Sequence, residues 1–136
     1  MTGLAVDAPG NVYVAVASFN PATQGVYRIS RDGTTCDLIP GTDDLNPDPA
    51  ALEAADGLAF DKRGNLYITD AAGGAIYRAP RGGPAELWLQ HPLLEGTGAF
   101  GYPVPIGANG IQYWKNSLIV ARQDGCRQSG ECNPVS

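Results

Sequence analysis

The stretch GLAFDKRGNLYITD, residues 57–70, recurs in altered form as GLAVDAPGNVYVAV, residues 3–16. Aligned without gaps, seven of the fourteen positions are identical and three more exchange one apolar residue for another. Apolar residues alternate within each copy. Leu58 and Phe60 share one face, and Leu66 and Ile68 do the same in the next run. A period of two is the mark of a half-buried strand. Between the runs lie DKRGN and DAPGN, in which Gly64–Asn65 and Gly10–Asn11 offer the positive φ that a tight turn needs. Each copy therefore reads as a β-hairpin.

A third apolar run follows each hairpin: GVYRIS (residues 25–30) and AIYRAP (residues 75–80), both carrying Tyr-Arg. A polar turn comes next, RDGTT or RGGPA, and then a fourth run, CDLI or ELWL. A third copy opens late, as NGIQYWKNSLIVA (residues 109–121), with a tighter hairpin turn at KNS. The copies start at Gly3, Gly57 and Gly110, spacings of 54 and 53 residues. Four strands repeated at this spacing are the signature of β-propeller blades, which pack face to face around an axis. The expected fold class is all-β: four-stranded antiparallel blades, with about two and a half present. The expected organisation is a blade at 2–39, a link at 40–55, a blade at 56–89, a link at 90–108, a partial blade at 109–121 and an irregular tail at 122–136.

Two and a half blades do not close a ring, since propellers use about four to eight. The leading expectation is a slice of a longer, six-bladed ring. It is supported by an inner strand that opens already at Thr2–Gly3. The alternatives are self-association of several copies through their open blade faces, and a different small β fold.

The bulk composition narrows the function classes. The net charge is −5, which argues against nucleic acid and anionic membranes as partners. No apolar run approaches the roughly 20 residues that span a bilayer, and MTGLAVDAPG lacks the regions of a secretory signal. Three cysteines (Cys36, Cys126, Cys132) give no complete disulfide framework. Cys126 and Cys132 either close a local disulfide loop or remain free thiols. With His91 the single histidine, a zinc site is not expected.

Thr2, Asp56 and Asn109 precede the three repeat glycines. In a propeller these equivalent positions fall on one ring at the mouth of the channel, where Asp56 and Asn109 offer oxygen to a hard cation, Ca²⁺ or Mg²⁺. The competing reading is a pair of turn dipeptides that start strands. The links at 40–55 and 90–108 lie on the same face. Phe100 and Tyr102 would give a pocket there its apolar wall, and Asp43, Asp44, Asp48 and Glu53 its acidic one. His91 reads as a surface turn residue before a conceivable base. Arg28 and Arg78 recur at one blade position, which suggests a role between blades. Trp88 and Trp114 are expected to pack, and Asp7 and Asp61 to accept turn hydrogen bonds.

DGLAFDKRGNLYITDAAGGAIYRAP followed by PIGANGIQYWKNSLIVA resembles the gluconolactonase/regucalcin-like six-bladed propellers, with NHL-repeat and strictosidine-synthase-like propellers close in pattern. The resemblance spans residues 2–121. It implies a metal-dependent hydrolase of lactones or related esters, acting on a small sugar-like molecule, with a divalent metal, most often Ca²⁺, on the ring axis. Asn109 in ANGI is similar to the family's Asn ligand, and Asp56 in ADGLAF to an inner-strand Asp. Thr2 departs from the ligand pattern, and the family's Glu ligand has no counterpart here. The resemblance also implies an extracytoplasmic home, because bacterial relatives are often exported. The alternative function is a non-enzymatic propeller that binds a ligand or partner through its long loops.

Overall fold

A computed structural model describes residues 2–18, 20, 22–43, 53–98 and 105–123. Among the described residues, ten strands form three antiparallel sheets. The first sheet is a meander of β1 (Leu4–Val6), β2 (Val12–Val16), β3 (Gly25–Ile29) and β4 (Cys36–Leu38). The second repeats it with β5 (Ala55–Phe60), β6 (Leu66–Asp70), β7 (Ala75–Ala79) and β8 (Glu86–Gln90). The third holds β9 (Ala108–Trp114) and β10 (Ser117–Arg122). A single 3-10 turn at Pro92–Leu94 interrupts the second link. No helix among the described residues is long and apolar enough to cross a membrane.

The registers match across copies. Tyr13 faces Arg28 and Tyr67 faces Arg78, while Arg28 faces Asp37 and Arg78 faces Glu86. The turns explain this. Gly10 and Gly64 take φ of 97° and 84°, the left-handed region that a side chain resists. Asn11 and Asn65 do not share that conformation. Their side-chain amides instead donate to Asp7 Oδ2 and Asp61 Oδ2 at 2.8 and 2.7 Å. The third copy turns on Lys115 and Asn116, with φ of 46° and 66°, a two-residue loop whose twist suits a hairpin.

Alternation along the strands assigns each side chain to a face. Leu66, Ile68, Ala75, Tyr77 and Ala79 pack with Ala15 and Val26 of the first sheet. Tyr67 and Ile76 point the other way, to Ala108 and Val120 of the third. Every residue of β6 is therefore buried, because the second sheet is covered on both sides. The outer sheets are covered on one. Leu4 and Val6 lie exposed on the far side of β1, as does Trp114 on β9. Trp88 and Trp114 thus depart from expectation, at 45% and 55% exposed. Trp88 sits on β8, an outermost strand whose five residues are all exposed, and its ring meets that of Tyr67 in a T-shaped pair. Trp114 carries Lys115 Nζ over its ring at 4.2 Å.

If the middle sheet is sandwiched, its two faces should be equally sensitive. Ile68→Ala and Ile76→Ala are each expected to lower unfolding stability by about 2–5 kcal/mol in urea titrations. A loss below about 0.5 kcal/mol at either position would show that one face is open.

Candidate functional site at the inner-strand ends

The site begins where the innermost strands β1, β5 and β9 start. A Cβ built on Gly3 would collide with the Asp56 carbonyl oxygen. One on Gly57 would collide with the Asn109 carbonyl oxygen and lie 2.9 Å from Ile111 N. The repeat glycine thus lets each inner strand touch the next one's backbone. At Gly110 the nearest atom to such a Cβ is Ala121 Cβ at 4.0 Å.

This approach interrupts the ladder. The pairing of β5 with β6 shifts register between Ala55 and Leu58, a bulge that holds Asp56 and Gly57. The freed Gly57 N–H donates to Thr69 Oγ1 at 2.7 Å. The Thr69 hydroxyl in turn donates to the Asn109 carbonyl. Thr2 does comparable work one sheet earlier, its hydroxyl donating to the Ala55 carbonyl at 2.8 Å.

The structure places Asp56 and Asn109 at the starts of neighbouring inner strands, both partly buried. The Asn109 amide nitrogen donates to Gln123 Oε1 at 2.7 Å, which leaves its side-chain oxygen directed elsewhere. The Asp56 carboxylate has no hydrogen-bond partner among the described residues. Burial pushes its pKa up from the ordinary carboxylate value, because desolvation penalises the anion without a compensating donor. Thr2 directs its hydroxyl hydrogen to backbone carbonyls. Among the described residues, no three His, Cys, Asp or Glu side chains group around one point.

The residue that organises this end of the molecule is Asp70, which the sequence did not single out. It is 1% exposed. Its oxygens accept from the N–H groups of Glu53 and Ala54 at 2.9 Å each, and from Ala72 and Gly73 at 3.2 and 3.0 Å. One carboxylate thus ties the end of the first link to the turn after β6. Its signal was the terminal Asp of NLYITD, where the first copy has Val16. Backbone bonds carry the tie onward. Ala71 N–H reaches Ala54 O at 2.9 Å, Gly107 N–H reaches Ala71 O at 2.8 Å, and Gln123 N–H reaches Gly107 O at 3.0 Å. The C-terminal ends of both links, at Glu53–Ala54 and Gly107, therefore lie beside the strand starts that carry Asp56 and Asn109.

Other expected residues fall as follows. Phe100 and Tyr102 lie outside the described residues, as do Asp44, Asp48, Cys126 and Cys132. Asp43 is half-buried and Glu53 exposed. His91 Nδ1 accepts from Leu93 N–H at 3.1 Å, capping the 3-10 turn. Asp7 and Asp61 close their turns as read, Asp61 Oδ1 accepting from Arg63 and Asn65 N–H at 2.8 and 2.9 Å. Arg28 has its ion-pair partner on the neighbouring strand. It pairs with Asp37 at 3.8 Å across β3 and β4, within one blade, because the register sets the two opposite each other.

No family model and no curated protein matches the chain. Among solved structures it is similar to a streptogramin B lyase, with a TM-score of 0.63 at 15% identity, over 96% of this chain and 38% of that one. It is also similar to a catalytically inactive virginiamycin B lyase from Staphylococcus aureus with quinupristin. There the TM-score is 0.53 at 16% identity, over 98% of this chain and 54% of that one. The chain has the β-propeller fold. It spans 38% and 54% of the lengths of these two structures.

Two predictions follow from the geometry. Gly57→Ala should lose about 2 kcal/mol or more, because backbone must move to admit the methyl group. Gly82→Ala, with φ of 73° and nothing within 4 Å, should lose only about 1 kcal/mol of backbone strain; equal losses in urea titrations would contradict the contact. The second concerns pH. A carboxyl raised in the folded state favours folding below its unfolded pKa, and that contribution is lost as pH rises through the folded value. Asp56→Asn should accordingly raise the melting temperature at pH 7, with the gain vanishing by about pH 3. A gain independent of pH would remove the carboxylate as its cause.

Proposed function

We propose that the chain supplies blades to a gluconolactonase-like propeller that binds a divalent cation, Ca²⁺ in the first instance, and hydrolyses lactones or related esters. The observation that carries this reading is the Asp56 carboxylate, half-buried and without a hydrogen-bond partner among the described residues, beside Asn109 on the adjoining inner strand. A desolvated carboxylate gains more from a cation than a hydrated one does. Asp56 and Asn109 fit two of the six to eight oxygen positions that Ca²⁺ takes; the others would come from water, substrate and further blades.

When bound, the cation would supply Lewis-acid polarisation of the substrate carbonyl. The chain's own residues do the rest. Asp56, desolvated and without a competing hydrogen-bond donor among the described residues, would bind the cation and be held ionised by it. Gln123, through its bond to the Asn109 amide nitrogen, turns the amide oxygen away from itself and fixes the orientation of that donor. A second reading, a propeller that binds its ligand without catalysis, is favoured by the lack of a three-membered metal-ligand group among the described residues.

The test is thermal. For a millimolar site, a tenfold excess of Ca²⁺ stabilises by about 1.4 kcal/mol, or roughly 2–6 °C in melting temperature. The rise should disappear in Asp56→Ala and in Asn109→Ala. An unchanged melting temperature in the parent chain would overturn the metal reading and leave the binding propeller.

A further inference from the structure

At the opposite ends of the inner strands, the turns between the first and second sheets enclose a cleft of about 1020 Å³. Its apolar lining includes Phe60, Ile39 and Pro80. The Tyr13 and Phe60 rings meet there edge to face, 4.9 Å between centroids, so the floor is a packed surface.

Three carboxylates and four cations line this cleft, and their engagements differ. Asp7 and Asp61 are consumed by their own turns, each accepting backbone N–H groups, an Asn side chain and a Tyr hydroxyl. Burial pushes both up, yet these hydrogen bonds outweigh it and hold them below the ordinary value. Asp37 pairs with Arg28. Lys62 Nζ donates to Asn116 at 3.2 Å. The guanidinium groups of Arg63 and Arg81 have neither ion pair nor hydrogen bond among the described residues. The Arg81 side chain lies over the Gly64 turn, its Cδ 3.7 Å from where a Cβ on Gly64 would stand, just as Arg31 lies over Gly10 in the first copy. In a chain of net charge −5, the lining carries one net positive charge, and its two unpaired cations are both guanidinium groups.

We propose that the cleft binds a small amphiphilic anion, its carboxylate or sulfonate head between Arg63 and Arg81 and its apolar body on Phe60, Ile39 and Pro80. Guanidinium groups suit such heads because their N–H donors match a planar or tetrahedral oxyanion in pairs. A purely polar anion would leave the apolar floor wet, and an uncharged apolar molecule would leave both cations without a partner. This site is separate from that of Asp56 and Asn109 and stands whether or not the chain binds metal.

The probe is 8-anilinonaphthalene-1-sulfonate, titrated into the ¹⁵N-labelled chain at low salt and read by amide chemical shifts. Fluorescence alone would also report the exposed faces at Leu4, Val6 and Trp114. Saturable shifts are expected at residues 61–65 and 80–83. The affinity should fall about tenfold or more in the exposed double variant Arg63→Gln/Arg81→Gln, with its melting temperature unchanged, and should weaken as salt screens the charges. Uncharged N-phenyl-1-naphthylamine should not shift the same amides saturably. Shifts confined to the β1 and β9 faces, undiminished affinity in the double variant, or equal binding of the uncharged probe would each overturn the proposal.

Discussion

The structure depends on a backbone contact that only glycine admits. Gly3 lies against the Asp56 carbonyl and Gly57 against the Asn109 carbonyl, and these two contacts set how closely successive sheets approach along their inner edges. At that spacing, alternate side chains of β6 and β7 reach cores on both sides, and burial of this kind contributes roughly 1.5–3 kcal/mol for each large apolar side chain. Hydrogen bonding follows from the same approach. The bulge that brings Gly57 forward frees its N–H, and Thr69 both accepts that bond and donates across to the next strand. A residue of any other type at Gly3 or Gly57 would push the neighbouring backbone away, and at Gly57 it would strand these polar groups.

The two ends of the inner strands are built on different chemistry. At the turn end, Asp7 and Asp61 are saturated with donors and serve geometry. At the other end, Asp70 does the structural work, with four backbone N–H groups on its oxygens, while Asp56 has no donor among the described residues. Three kinds of Asp environment in one small chain show why composition alone says little about which carboxylates act. Satisfied acids hold loops, and the unsatisfied, desolvated one is free to take a cation or a proton.

Much of this was legible from residues 3–16 and 57–70. The period of two gave the strands, the Asp-x-x-Gly-Asn turns gave the hairpins, and the repeat gave the blades, because all three are local patterns. Asp56 and Asn109 could be placed at the starts of neighbouring inner strands because equivalent positions in a repeat must occupy equivalent places. What escaped was set by tertiary surroundings. Trp88 and Trp114 read as core from their apolar neighbours, but an outermost strand and an uncovered face leave them exposed. Asp70 was missed because it breaks the repeat, and its partners Glu53 and Ala54 lie in an irregular link that carries no pattern. Arg28 and Arg78 recur as expected, yet the partner of Arg28 is fixed by strand register.

The claim at the centre is that successive inner strands touch backbone to backbone at the repeat glycines. Nuclear Overhauser spectroscopy on the chain reads it directly. The Gly57 Cα lies 3.3 Å from a Cβ placed on Gly3, and Ile111 N lies 2.9 Å from one placed on Gly57. Strong cross-peaks are therefore predicted between the α-protons of Gly3 and Gly57, and between those of Gly57 and the amide proton of Ile111. Intact cross-peaks within each hairpin without these two would show folded sheets that do not pack as blades, and would contradict the account.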